Sequence, residues 1–328
     1  MKNKKIIIII SAVLVIVLIL VLIFFFSNKK DENVVITPIR QTSMRTSSEK
    51  ISIDTIDKWV ENNSSYLWQI QSDVQLEKVQ HFVEDKGLHL SYSKEGFSYH
   101  WVNNNQRISY NLATNVLSVV GEDLLSLDQV DTVTAETFSK LMKKYFDLDL
   151  EYEVFKTEKG EEGQTTYFAK RIIDGNNPVE MEAWHHQTDH IAVKDGKILF
   201  AKLLLARFIN TNKLLPLVSK KELKAFVNQL EYPKIVIPNA NVLLDEPEYE
   251  YISYDSEKWG KINKTIRDCN ADKISVVYLY KDMSQENLTP VYKIEAQCKM
   301  TYDKEDYFIP STWYVNAINP ELILLDDK

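Results

Sequence analysis

Glycine is scarce in this chain, with eight residues in 328, and none falls in a glycine-rich loop of the kind that cradles a phosphate. The sequence has no His-Glu-X-X-His, no Cys-X-X-Cys and no Lys-Thr-Gly. Zinc-peptidase, thioredoxin-type and penicillin-binding chemistries therefore lack their defining residues. Ser47-Ser48-Glu49-Lys50 and Ser91-Tyr92-Ser93-Lys94 both spell S-x-x-K, but one falls in a polar stretch and the other in strand-like text, so both are chance matches. Cations are also in deficit, 39 Lys and Arg against 47 Asp and Glu, for a net charge of −8. That balance excludes nucleic acid as the expected partner, because affinity for phosphates comes largely from Lys and Arg.

What the chain does have is one long apolar run. Ile6–Phe26 carries no charge, and Ser11 is its only polar member. At 1.5 Å per helical residue it reaches about 31 Å, the thickness of a bilayer hydrocarbon core. A cleaved signal peptide would have a shorter apolar stretch ending in a small-x-small site. Here the run ends Phe24-Phe25-Phe26-Ser27-Asn28-Lys29-Lys30, with no such site and no nearby cysteine. The expectation is an uncleaved single-pass anchor, with the lipid bilayer as the partner of Ile6–Phe26. Flanking lysines stand on both sides, so length decides orientation: residues 1–5 remain cytoplasmic and the large remainder is extracytoplasmic.

Residues 27–50, with Pro38 and a Ser/Thr cluster, read as a flexible stalk. Beyond it the text alternates between short helices and strands. Ile53, Ile56, Trp59 and Val60 share a face of an expected helix at Asp54–Val60. Strand-like runs separated by Asn and Gly turns follow between Leu88 and Val120, the pattern of an antiparallel meander. Phe138, Leu141, Met142, Tyr145 and Phe146 predict a helix. Strands are expected near Leu150–Lys156, Thr165–Ile173, His190–Val193 and Lys197–Phe208, with a tight Asp195-Gly196 turn between the last two. Ser219-Lys220-Lys221-Glu222 is a capping box opening a third helix. Strands recur at Tyr249–Tyr254, Ile274–Tyr280, Val291–Lys299 and Asp306–Val315, with a short helix over Trp259, Ile262 and Ile266. The expected fold class is α+β: an N-terminal transmembrane helix (6–26), then repeated helix-plus-antiparallel-sheet units at 51–130, 131–215 and 216–328.

Three groups of side chains are candidates for chemistry or binding. His185, His186 and His190 lie in a stretch with Glu180, Glu182 and Asp189, and imidazole with carboxylate holds zinc. His186 and His190 share a face only in a helix, however, and this stretch reads as strand and loop; a solvated hairpin loop is the plainer reading. Cys269 and Cys298 flank one expected hairpin, and a disulfide or two buried thiols both suit that spacing. Tyr92, Tyr99, Trp101 and Tyr110 sit on the meander strands, as a sugar- or peptide-stacking surface or as cross-strand pairs supporting the sheet. The acidic run Asp245–Glu250 lacks the ligand spacing of a calcium loop. No catalytic set, metal or cofactor is expected.

The closing text, Thr289-Pro290-Val291-Tyr292-Lys293-Ile294 and Trp313-Tyr314-Val315-Asn316-Ala317-Ile318, resembles the last hairpin of PepSY-like domains. Val193-Lys194-Asp195-Gly196-Lys197-Ile198-Leu199 is similar to the hairpin before it. With the basic leader and single span, the layout resembles the YycH/YycI type of membrane-tethered regulator. The resemblance implies a non-catalytic ectodomain that regulates an envelope protein partner such as a sensor kinase, and transfers no functional residue. The alternatives are an envelope enzyme using the histidine cluster with a metal, and a cell-wall glycan-binding module.

Overall fold

The structure is a computed structural model. It describes residues 50–318 apart from 58, 60–62, 72–74, 95–97, 104, 127–131, 161–162, 176, 182–188, 230–233, 239–265, 281–283 and 303–304. Among the described residues strands dominate. They run β1 (Ile51–Ser52), β2 (Ser64–Gln71), β3 (His89–Lys94), β4 (Ser98–Asn103), β5 (Gln106–Asn111) and β6 (Val116–Val120). After these come β7 (Glu151–Lys159), β8 (Thr165–Ile173), β9 (Asn177–Met181), β10 (Asp189–Lys194), β11 (Lys197–Leu204) and β12 (Arg207–Pro216). The last five are β13 (Lys234–Pro238), β14 (Ile266–Tyr280), β15 (Asn287–Leu288), β16 (Pro290–Tyr302) and β17 (Glu305–Asn316). Three helices accompany them: α1 (Leu76–Asp85), α2 (Ala135–Phe146) and α3 (Lys220–Phe226).

The expected repeats of a helix on an antiparallel sheet are not what the chain forms. Fourteen strands join one mixed sheet along the order β13-β17-β16-β14-β9-β8-β10-β11-β6-β5-β4-β3, with β1 on β14 and β7 on β8. The pairings that overturn the repeats run between the expected units. β6 is antiparallel to β11, β9 is parallel to β14, and β1 is parallel to β14. Parallel pairing between strands so far apart in sequence leaves no local turn signal to read. β12, β2 and β15 form a separate three-stranded sheet. No helix among the described residues is long and apolar enough to cross a membrane; Ile6–Phe26 and residues 27–49 of the stalk lie outside them.

Local chemistry explains most elements. In the β10–β11 hairpin, Asp195 and Gly196 take φ of 50° and 75°, the left-handed pair that a two-residue turn between twisted strands requires. α2 lays Phe138, Leu141, Met142 and Phe146, all fully buried, against Trp101, Ile108, Tyr110 and Leu117 of the meander. α1 adds Val79, Phe82 and Val83 to the same core, with the Phe82 and Phe146 rings 5.6 Å apart and edge-on. In α3, Ser219 Oγ accepts from the Glu222 amide while the Glu222 carboxylate accepts from the Ser219 amide at 2.8 Å. Its Leu223 enters a second core with Ile51, Ile53, Ile56 and Trp313.

Three expected elements differ. Asp54-Thr55 is turn and Ile56-Asp57 irregular rather than helix, because Ile51, Ile53 and Ile56 are drawn down onto β14 and α3. The expected strand Lys197–Phe208 breaks at Leu205-Ala206, where the chain leaves the large sheet for the small one. Both residues are fully buried at this corner. Ile266 opens β14 instead of a helix, and Trp259, Ile262 and Tyr249–Tyr254 lie outside the described residues.

Candidate functional site

The sheet branches at β8. One edge of β8 is occupied by β7 along almost its full length. On the other edge, Thr165–Ala169 pairs with β10 and Arg171–Ile173 with β9. β9 and β10 are thus one line of strand interrupted by residues 182–188. From that line the sheet continues both ways, through β11 to the meander and through β14 to the C-terminal hairpin.

Consecutive residues on a strand face opposite sides, and β8 uses this to build two buried charge clusters. On one side Lys170 meets Glu180 of β9, which is 6% exposed. The Glu180 carboxylate accepts from Lys170 Nζ at 2.5 Å, from Lys293 Nζ of β16 at 2.8 and 3.1 Å, and from the Tyr314 hydroxyl of β17 at 2.6 Å. Burial alone would raise this carboxyl, but the Lys293 and Lys170 ammoniums hold it below its ordinary range. Burial, then the charge of Glu180, pushes the Tyr314 hydroxyl upward.

On the other side Arg171, 3% exposed, faces Asp189 of β10 with Nε–Oδ2 at 3.6 Å, beside the buried Tyr152. Arg171 Nη1 donates to the Ala206 carbonyl, and Asp189 Oδ1 accepts from the Leu204 amide at 2.6 Å. The Leu205 amide donates to the Asn115 carbonyl at 2.7 Å. These bonds pin the corner between β11 and β12. Burial raises the Asp189 carboxyl, and Arg171 opposes the rise only in part. A cleft of about 320 Å³ lies alongside, with Trp68, Arg171, Asp174 and Phe208 in its walls.

Tyrosines tie these parts together, with rings in apolar surroundings and hydroxyls on acceptors from other elements. Tyr278 reaches the Tyr66 carbonyl at 2.6 Å, Tyr280 the Thr114 carbonyl at 3.1 Å and Tyr292 the Val218 carbonyl at 2.5 Å.

The structure separates the residues that the sequence groups. Glu180 goes to the lysines, Asp189 to Arg171, and the His190 ring packs between Phe168 and Phe200 at 5.4 and 5.1 Å on the helix-free face. His185 and His186 lie outside the described residues, among which no group of His, Cys, Asp and Glu could hold a metal ion. Trp101, 5% exposed, and the fully buried Tyr110 are core residues, and the half-buried Tyr99 stacks on Trp101 at 5.6 Å. Trp101 and Tyr110 thus face the core under the helices, as cross-strand support of the sheet. Tyr92 lies in β3, with its side chain outside the description. Cys269 of β14 and Cys298 of β16 are joined by a buried disulfide.

Sequence reasoning passed over Lys170, Arg171, Lys293 and Tyr314. A signal was present in Lys170-Arg171, two adjacent cations inside an otherwise uncharged strand.

The chain matches no family model and no curated protein. Among solved structures it is similar to a crystal structure of an uncharacterized protein from Eubacterium rectale, at 12% identity and a TM-score of 0.43, over 83% of this chain and 88% of that one.

Proposed function

We propose that this protein is a non-catalytic binding protein of the cell envelope, tethered by the uncharged run Ile6–Phe26, whose outer part engages another envelope protein. A sensor kinase is the partner that the resemblance of the C-terminal hairpin brings forward. The observation that carries the reading is the saturation of Glu180 by Lys170, Lys293 and Tyr314. Glu180, one of two buried acids of the sequence cluster, is fully engaged in fastening β8, β9, β16 and β17 to one another. Such a carboxylate, held ionised by two ammoniums, has neither the raised pKa of a general acid nor a free lone pair for a metal. Its work is mechanical, and a stiff branched sheet suits a platform that transmits or receives contact.

Site-specific photo-crosslinking of the membrane-embedded full chain tests this. Recovery of one envelope protein in defined adducts is expected, and replacing Ile6–Phe26 with an unrelated apolar span should weaken the complex if the tether contributes contacts. Crosslinking positions spread over the outer surface that capture no protein partner would refute the reading.

A further inference from the structure

β4, β5, β6 and β11 contain no aspartate or glutamate, although about one residue in seven of the whole chain is acidic. In the adjoining β10 the one carboxylate, Asp189, is turned to Arg171 in the interior. These five strands are consecutive in the sheet. One face of them is covered by α1 and α2, and among the described residues no helix covers the other. The helix-free face of these five strands thus presents no carboxylate, and at the end where Val116 pairs with Leu204 it is closed by Ile70, Tyr280 and Leu288.

The strand registers draw a single row across that face: Phe168, His190, Lys202, Ser118, Ser109 and His100, each directly opposite the next. With neighbouring strands about 4.8 Å apart, the row is about 24 Å long. All six residues are half-buried. The rings of Phe168, His190 and Phe200 form a continuous ladder, and at its β7 end Lys156, 5.8 Å from the Phe168 centroid, is neutralised by Glu158 at 2.5 Å. Lys202 continues the row from His190, and the exposed Arg107 stands two residues from Ser109 along β5, on the same face.

We propose that this face binds a linear anionic glycan, a chain of sugar or polyol units bearing phosphates or carboxylates. Ring faces are the surfaces on which sugars stack, the two serine hydroxyls match polyol hydrogen bonding, and Lys202 with Arg107 supplies the charge for the acid groups. The row runs across the strands and offers no free backbone groups, so a peptide could not add to it as a strand; peptide addition needs a sheet edge. Burial holds the Lys202 ammonium below its ordinary pKa, and an anionic group seated on it would reverse that cost. The site is separate from the protein partner proposed above, and each can fail without the other.

The test uses the full chain in detergent micelles and a fluorescent poly(glycerol phosphate) oligomer, read by polarisation. Binding should weaken about tenfold in Lys202→Glu and in Ser118→Glu, and should fall with added salt. Ser118→Glu leaves the stacked rings untouched, so it keeps the test sharp if Lys202→Glu proves unstable in a melting scan. Unlabelled poly-glutamate should compete poorly and a neutral chitin oligomer not at all. Absence of binding, or binding unchanged in folded variants, overturns the proposal. Equal competition by poly-glutamate overturns it in favour of an acidic protein. Crosslinking of Lys202→Glu in cells then reports separately on the protein partner.

Discussion

The Tyr314 hydroxyl lies 2.6 Å from the Glu180 carboxylate, although two whole strands, β16 and β14, separate β17 from β9 in the sheet. Lys293 reaches the same carboxylate across β14 alone. Glu180 therefore fixes the angle at which the C-terminal hairpin leaves the branch. Removing its charge would leave two ammoniums, each less than one-fifth exposed, without their counter-ion. Glu180→Gln is expected to cost about 3–5 kcal/mol in urea denaturation. Tyr314→Phe should cost about 1.5–3 kcal/mol, the worth of a hydrogen bond to a charged group. The two losses should be less than additive, since they remove one network.

The two buried carboxylates titrate in opposite senses. Glu180 has a lowered native pKa, so its contribution is present above the unfolded value of about 4.3 and is lost as pH falls through the native value. Asp189 has a raised native pKa, so its contribution is present below about 3.9 and is lost as pH rises through the native value. Stability measured against pH should accordingly lose part of its acid limb below about 4.3 in Glu180→Gln. In Asp189→Asn, the decline with rising pH above about 3.9 should be reduced instead. Identical profiles for the two variants would show that neither carboxylate is perturbed as described.

The meander, α2, α3 and the Asp195-Gly196 hairpin could be read from the chain because each depends on neighbours in sequence: alternation, a four-residue stripe, a cap or a turn. α1 left a trace in Val79, Phe82 and Val83, but its short stripe is easily passed over between strands. The branch could not be read. Nothing near Asn177–Met181 announces that it will pair in parallel with Tyr278–Tyr280. The site fared similarly: Glu180, Asp189 and His190 stand close together in sequence and look like one cluster. The interruption at 182–188 and the two-sidedness of a strand send them to three surroundings. Tyrosine abundance was visible, whereas its use as an apolar body with a hydroxyl on a distant carbonyl needs the tertiary pairing.

Arg171 and Asp189 make a second testable pair, because their ion contact is loose and their firmest bonds go to the backbone of the β11–β12 corner. Asp189→Ala strands a guanidinium that is 3% exposed and removes the acceptor of the Leu204 amide; a loss of about 3–5 kcal/mol is expected. Replacing both residues by apolar ones, Arg171→Met with Asp189→Leu, should cost less than Asp189→Ala alone, since no charge is then left buried. Hydrogen exchange should show the Leu204 and Leu205 amides losing protection before the core of β11 in either case.

The disulfide gives the last prediction. Cys269 and Cys298 are 29 residues apart in sequence, and closing a loop of that size restricts the unfolded chain by about 3–4 kcal/mol. Both sulfurs are buried between β14 and β16, beside Ile309 and Ile51 in the C-terminal core. The double variant Cys269→Ala/Cys298→Ala should therefore keep its fold while melting well below the wild type. Adding a reductant at moderate temperature should lower the wild-type melting point slowly, because attack needs the β14–β16 pair to open first. The meander and α2 draw on a different core and should melt with little change if the two cores unfold separately. A single cooperative transition shifted as a whole would instead show that the clamp at Glu180 couples them, and combining the cysteine variant with Glu180→Gln should then split that transition in two.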